Sequence, residues 1–297
     1  MSITRATTTV GFIGLGTMGG PMVTNLAKGG VDLHVYDADQ QRTAELAAEL
    51  GATPVTDVAG LARCDVVVLM LPTSKIVQAV LLDDARTGLR IPFEPGAVVV
   101  DMSSSDPIDT VETGRVLADH GVSMVDAPVS GARERAIAGT LSIMLGADDE
   151  AAAERAVPVV DTMSQQIFRT GKLGSGHAMK ALNNYVAAAS FTASTEALVA
   201  GQRFGLDPQV MVDIFNASTG QSFVTTHVLG PHIVDGKYAS GFALPLMTKD
   251  VRIARSLQQA VEHEAPVCEA VTGALGDALD ALGDVDHTRA HEFWSQR

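Results

Sequence analysis

The chain is 297 residues long and 46% hydrophobic, which is enough to bury a substantial core and fits two domains better than one. Lys and Arg number 21 against 35 Asp and Glu, and the charge of 21 − 35 = −14 offers no basic field to phosphate backbones. Nucleic acid and anionic membrane surfaces are therefore poor partners, and an anionic substrate needs a local cationic pocket.

Met1 to Thr9 is polar, and the first apolar run, Val10 to Leu15, is interrupted by Gly11 and Gly14, unlike a signal peptide or a membrane span. A cytoplasmic location is expected. Cys64 and Cys268 lie far apart and outside any CxxC pair, so both are expected to be reduced packing residues. From Thr9 to about Arg169, short β-branched runs alternate with helical stretches: Val10 to Ile13, Leu33 to Tyr36, Val66 to Met70, Val98 to Val100 and Met124 to Val125. Unbroken apolar runs of this length suit strands buried on both faces of a parallel sheet. Asp39 is placed to cap a helix ending near Leu50 and Gly51, Pro107 falls in the first turn of a helix from Ile108 to about His120, and Asp148 or Asp149 opens another. The alternation predicts a doubly wound α/β domain with a mostly parallel sheet, assigned to residues 1–172.

After Gly171 the strand signal fades into alanine-rich helical text, broken at Gly205, Gly220, Gly236, Gly241, Pro245 and Pro266. An all-α second domain is expected over residues 173–297. Its first helix, from about Ser175 to Phe204, is long and neutral, since Ala181 to Thr195 carries no charged residue. Such a helix is expected to be buried, between domains or between subunits. There is no internal repeat and no low-complexity linker.

Gly14-Leu15-Gly16-Thr17-Met18-Gly19 follows the first strand directly and enters a helical stretch, Pro21 to Lys28. Two glycines permit a tight turn and close approach of backbone to a pyrophosphate, the third lets helix and strand pack, and the helix N-terminus attracts phosphates. A bare GxGxxG match is weak. Asp37 strengthens it: it ends the second strand, 18 residues past Gly19, where a carboxylate binds adenosine ribose hydroxyls. Its charge repels a 2′-phosphate, and the next four residues, Ala38 to Gln41, supply no cation, so NAD is expected and NADP disfavoured. Leu71-Pro72-Thr73 and Asp101 to Ser105 follow later strands at the same crevice; as isolated segments they are also ordinary capped turns.

Lys180 is the one unambiguous charge between His177 and Glu196, and Asn184 lies one turn on, on the same face; the position of Asn183 relative to Lys180 is left open. An ammonium on a largely buried helix must find a partner, a ligand or a lowered pKa, which is the profile of a catalytic lysine. The alternative is a lysine snorkelling to water. The loop Asp126 to Arg133 offers hydroxyl and backbone N–H groups to a carboxylate. Arg133 either clamps a second anionic group or, the favoured alternative, sits on the surface beside Glu134. Lys249-Asp250 opens a late helical stretch, where a solvated ion pair is the plain explanation. No metal site is expected: His287 and His291 have i, i+4 spacing but no third ligand, as on a solvated helix face. No GxSxG elbow supports a serine nucleophile.

Taken in order, these motifs resemble the β-hydroxyacid dehydrogenase family, of the 3-hydroxyisobutyrate dehydrogenase and tartronate semialdehyde reductase kind, over nearly the whole chain. Val10 to Gly19 is similar to the family's opening, Asp126 to Gly131 to its substrate loop, Gly174-Ser175-Gly176 with Lys180, Asn183 and Asn184 to its catalytic segment, and Lys249-Asp250 to a further signature. The resemblance implies that Lys180 is the acid/base, Asn184 its hydrogen-bonding companion, and Ser130 with Gly131 the carboxylate receptor. It also implies that Leu71, Pro72 and Ser104 lie against the cofactor and Lys249 at the edge of a joint site. A Rossmann domain, a long interdomain helix, a helical second domain and a homodimer or homotetramer are implied with it. Two departures stand out: Ala132, followed by Arg133, replaces the usual second glycine of the substrate loop, and Ser104 replaces a threonine.

The expected reaction moves a hydride between NAD and a small anionic hydroxyacid or aldehyde-acid, Lys180 exchanging the hydroxyl proton. An imine reductase, or a nucleotide sensor without catalysis, are the rivals on this fold. Retention of Lys180 and Asn184 speaks against both.

Overall fold

The computed structural model of the chain describes residues 8–297. The first seven residues of the polar stretch discussed above lie outside the described residues. The chain divides into two compact units, Met1–Lys180 and Ala181–Arg297.

In the first unit, β1 (Thr9–Ile13), α1 (Gly19–Ala27), β2 (Asp32–Tyr36), α2 (Gln40–Leu50), β3 (Thr53–Pro54), β4 (Val66–Leu69), α3 (Ser74–Leu81), β5 (Val98–Asp101), α4 (Pro107–Asp119) and β6 (Ser123–Asp126) follow one another. Strand order β3-β2-β1-β4-β5-β6 is parallel throughout. The sheet is extended by β7 (Val129–Ser130), α5 (Ala132–Ala138), β8 (Leu141–Ala147), α6 (Glu150–Asp161) and β9 (Ser164–Gly171). Here β8 runs antiparallel to both β6 and β7, and β9 parallel to β8. This is the doubly wound, mostly parallel Rossmann arrangement, and its order reverses between β1 and β4, where the crevice for a nucleotide opens.

The apolar runs explain the layering. Val66, Val68, Val98 and Val100 enter one core, while Val67, Leu69 and Val99 enter another with Leu81 and Leu117. Alternate residues of each strand thus face opposite helical layers, and neither face tolerates a polar residue. The caps fall where the residue types place them: Asp39 accepts from Arg42 N at the start of α2, Gly51 closes that helix at φ +66°, Asp106 precedes Pro107, and Asp149 opens α6. Both cysteines are free and buried.

The second unit is helical. It contains most of α7 (Ser175–Phe204), then α8 (Pro208–Ala217), a π-helical segment (Thr225–Val234), α9 (Leu244–Ala260), α10 (Pro266–Leu282) and α11 (Ala290–Ser295). Phe191, Leu198, Met211, Leu229, Val251 and Leu275 share its core. α7 has the length its neutral sequence predicts, and within the single chain Val186 on it is 61% exposed. Among the described residues no helix is long and apolar enough to cross a membrane.

Candidate active site

The glycine loop is built by contacts that only hydrogen atoms permit. Gly14 has φ +97°, and a Cβ there would stand 2.3 Å from the Met70 carbonyl oxygen; a Cβ on Gly19 would stand 1.8 Å from the carbonyl of Gly14. These two glycines close the strand-to-helix turn against itself. Gly16 differs. A Cβ there would meet nothing within 4 Å, so its smallness serves no protein contact and leaves open space where a pyrophosphate approaches backbone. Met18 caps α1 without a side-chain hydrogen bond, and the exposed Thr17 lies beside it. The first amides of α1 therefore receive no side-chain cap from Met18, as an anion site at a helix start requires. By this measure the loop fits a dinucleotide.

Asp37, directly after β2, accepts the Leu15 amide on Oδ2 at 2.6 Å and the Asp39 amide on Oδ1 at 2.9 Å. Two backbone donors fix the carboxylate at the loop while leaving lone pairs for ribose hydroxyls. At the ends of β4 and β5 the Leu71 amide donates to Ser103 Oγ at 2.9 Å. Ser103 N and Ser105 Oγ in turn donate to the buried Asp101, at 2.9 and 2.7 Å. Ser103 and Ser105 are buried, Ser104 is half-buried and Pro72 is exposed.

The segment read as one substrate loop is a strand followed by a helix. Ser130 pairs with Ser142 in the β7–β8 ladder, Gly131 follows at φ +139°, and Ala132 and the exposed Arg133 start α5. Ala132 holds φ +56°, the left-handed region that glycine adopts at no cost. The departure from glycine has therefore left the backbone in the glycine conformation.

Asp126 does not belong with the groups that could receive a substrate. It is fully buried, and its oxygens accept the Gly174 amide at 2.8 Å and the His177 amide at 2.7 Å. The carboxylate at the end of β6 thus ties down the first turn of α7, the helix that carries Lys180. Burial pushes its carboxyl above the usual range, against the pull of His177 and the two amides. His177, also buried, lies one turn before Lys180. Its Nδ1 is 2.8 Å from Thr110 Oγ1, and its Nε2 stands 3.8 Å from Asp101 Oδ2 with no hydrogen-bond partner. Thr110 Oγ1 also lies 3.0 Å from the Asp106 carbonyl, an acceptor for its hydroxyl. Sequence reasoning missed this Asp101–His177–Asp126 cluster; the available signal was an acid directly after each of two apolar runs, Val98 to Val100 and Met124 to Val125.

Lys180 is partly buried on α7. In the helical unit, Asn184 donates from Nδ2 to Asp250 Oδ2 at 2.6 Å, and Lys249 Nζ lies 3.2 Å from Asp250 Oδ1. Asn183 is exposed and donates to Asn184 Oδ1 at 3.1 Å. Two expectations are corrected here. Lys249-Asp250 does not open its helix, since α9 starts at Leu244, and the pair is not solvated: the side chains are 23% and 6% exposed. The His287 and His291 pair is not a solvated helix face either. His287 is 4% exposed in a short turn before α11, with Nδ1 near Ser240 Oγ and the Phe242 carbonyl, while His291 meets the Tyr238 hydroxyl. Among the described residues no cluster of His, Cys, Asp and Glu is arranged to hold a metal.

Two family models divide the chain at the same place as its change of secondary structure. Residues 9–171 match the NAD-binding domain of 6-phosphogluconate dehydrogenase, and residues 174–294 match the NAD-binding domain of NADP-dependent 3-hydroxyisobutyrate dehydrogenase. The chain is 34% identical over 288 residues to 2-(hydroxymethyl)glutarate dehydrogenase of Eubacterium barkeri, covering 97% of this chain and 95% of that one. It belongs to the β-hydroxyacid dehydrogenase family. An NAD-dependent L-serine dehydrogenase of Pseudomonas aeruginosa is 34% identical over 264 residues, covering 87% of this chain and 88% of that relative. The structure of Mycobacterium tuberculosis 3-hydroxyisobutyrate dehydrogenase with L-serine superimposes with a TM-score of 0.87 at 29% identity, over 97% and 99% of the two chains. The family reaction is NAD-linked oxidoreduction of a hydroxyacid, and the chain is an enzyme of that class.

Proposed function

We propose that the substrate is a small β-hydroxyacid of the 3-hydroxyisobutyrate kind and that Lys180 exchanges its hydroxyl proton. The division of labour assigned to this reaction is residues 1–172 for the nucleotide and 173–297 for the substrate and for association between copies. The observation that carries the reading is the anchoring of Lys180: a buried carboxylate from the sheet, Asp126, holds two amides in the turn just before it. Proton transfer needs a group held to within a fraction of an ångström, and an otherwise surface lysine has no use for so costly a brace.

Gly14 to Gly19, Asp37, Leu71, Pro72 and Ser104 would hold NAD, which when bound takes up the hydride from the carbinol carbon. Lys180 as the free amine accepts the hydroxyl proton in oxidation and, as the ammonium, returns it in reduction. Asn184, one turn along the same helix, has its amide orientation set by Asp250, so that one N–H remains for the reacting oxygen. Ser130 and Gly131 receive the substrate carboxylate, and Lys249 is a substrate-binding cation of the helical unit.

Lys180→Ala is the test. Turnover is expected to fall by about 10²-fold or more while NADH still binds, and near-wild-type turnover rejects the role. A second version, a substrate with a second anionic group received by Arg133, is supported by the Eubacterium relative, whose named substrate, 2-(hydroxymethyl)glutarate, carries two carboxylates; the exposure of Arg133 fits its surface alternative. It predicts that Arg133→Ala loses discrimination between dianionic and monoanionic hydroxyacids; unchanged selectivity removes that version. Association into a homodimer or homotetramer is supported by Val186, exposed on α7, and by the open apolar groove along α7 and α10 lined by Ala189, Ala193, Ala197, Val267 and Ala270. A cytoplasmic site of action accords with two unpaired thiols.

A further inference from the structure

The carboxylate at the end of β2 shares its position with a cation. Leu15 offers its amide to Asp37 Oδ2 at 2.6 Å and its carbonyl to Arg42 Nε, and Arg42 Nη2 lies 3.5 Å from the carbonyl of Gly16. Asp37 and Arg42 therefore converge on one residue of the glycine loop from its two polar ends. They do not neutralise each other, because the guanidinium partners of Arg42 among the described residues are both carbonyls. The backbone of Arg42 is fixed as well: its amide donates to Asp39 Oδ1 at 3.1 Å in the first turn of α2. The side chain lies close over the start of α1, where a Cβ on Gly20 would stand 3.0 Å from Nη2. The residue as a whole is exposed.

From these contacts we propose that Arg42 is a ready-made ligand for a phosphate on the adenosine ribose, kept from use by the charge of Asp37. The choice of cofactor then rests on one carboxylate, and not on the want of a cation after β2. Reading outward from Asp37 and stopping at Gln41 misses the arginine, because the first turn of α2 carries residue 42 back over the loop. The chemistry fits an ester phosphate. A planar guanidinium gives two parallel N–H donors to phosphate oxygens, and one already held by two carbonyls loses little rotamer freedom on binding. Asp37 opposes this by placing a carboxylate at the ribose hydroxyls, the position a 2′-phosphate would occupy. The inference rests on the assignment of Gly14 to Gly19 as the nucleotide loop.

The test is calorimetric titration of the whole chain with 5′-AMP and with adenosine 2′,5′-bisphosphate, which isolates binding from turnover. The quantity read is the ratio of the two affinities in the wild type, Asp37→Asn, Arg42→Ala and the double variant. Asp37→Asn keeps the shape and one acceptor, and it is expected to move the ratio toward the bisphosphate by about tenfold or more; the double variant is expected to lose most of that gain. No movement in Asp37→Asn, or equal movement with and without Arg42, overturns the proposal. Should Asp37→Asn fail to fold, Asp37→Ser with and without Arg42→Ala is read in its place: a gain of about tenfold or more toward the bisphosphate that is lost without Arg42 is expected, and no gain, or an equal gain without Arg42, overturns the proposal. A folded wild type that binds neither 5′-AMP nor the bisphosphate would overturn the nucleotide-loop assignment itself. A wild type that binds 5′-AMP, beside an Asp37 variant whose ratio is indifferent to Arg42, overturns this inference alone.

Discussion

Replacing Asp126 by alanine should loosen the helix that carries Lys180 from the sheet beneath it. The carboxylate is fully buried and takes two backbone donors, Gly174 N at 2.8 Å and His177 N at 2.7 Å. Each buried donor left without an acceptor costs about 1–3 kcal/mol, so the gross loss is about 2–6 kcal/mol. Part of it is offset, because burial already opposes the charge and pushes the carboxyl above its usual range. A net destabilisation of about 2–4 kcal/mol follows. At roughly 2–4 °C per kcal/mol for a unit of this size, the melting temperature should fall by about 4–16 °C. Differential scanning calorimetry of wild type, Asp126→Ala and Asp126→Asn gives the answer, the asparagine falling between because it keeps one acceptor. Turnover should fall with Asp126→Ala even well below its melting temperature, since Lys180 lies six residues beyond Gly174. A shift under about 2 °C with turnover intact would mean that Asp126 does not anchor α7, and the claim that Lys180 is braced for proton transfer would go with it.

Two glycines should separate folding from nucleotide binding. Gly16→Ala adds a methyl that meets no protein atom, so stability should change by no more than about 0.5 kcal/mol while NADH affinity drops by about tenfold or more. Gly19→Ala drives its Cβ to 1.8 Å from the Gly14 carbonyl, so stability and affinity should fall together. Fluorescence titration with NADH beside urea unfolding distinguishes the two, and undiminished NADH affinity in Gly16→Ala would refute the pyrophosphate assignment. A pH dependence follows from His287, whose imidazole burial pushes below the ordinary value of 6.5. The unfolded chain then binds the proton more readily than the folded one. The stability held above pH 6.5 is lost as pH falls from there through the folded value. The urea midpoint should therefore drop between pH 7.5 and 5.5 and drop less in His287→Gln; equal slopes in both chains contradict it.

The fold was legible because its strands say one thing at every position. Val66 to Leu69 and Val98 to Val100 are apolar without alternation, and only a strand covered on both faces needs that. Helix ends were legible for the same local reason, a short polar side chain reaching an amide two or three residues on, as at Asp39 and Asp149. What stayed hidden depends on partners distant in sequence. Asp126 looked like the first residue of a substrate loop, yet its partners are 48 and 51 residues away. His287 and His291 looked like one solvated face because i, i+4 spacing presumes one continuous helix, whereas His287 sits in a separate turn and packs edge-on to Phe191. Asp250 was visible only as the neighbour of Lys249, and its hydrogen bond to Asn184 gives the pair its meaning in the fold.

The central claim is that this chain passes a hydride between NAD and a small β-hydroxyacid, with the proton handled by Lys180. The most direct measurement follows absorbance of the reduced nicotinamide while wild type and Lys180→Ala meet a panel of mono- and dianionic β-hydroxyacids with NAD. The account predicts NADH formation by the wild type with at least one panel member, and none by a Lys180→Ala chain that still binds NADH. Formation of NADH at a near-wild-type rate by Lys180→Ala, or silence of the wild type across the panel despite tight NADH binding, would contradict it.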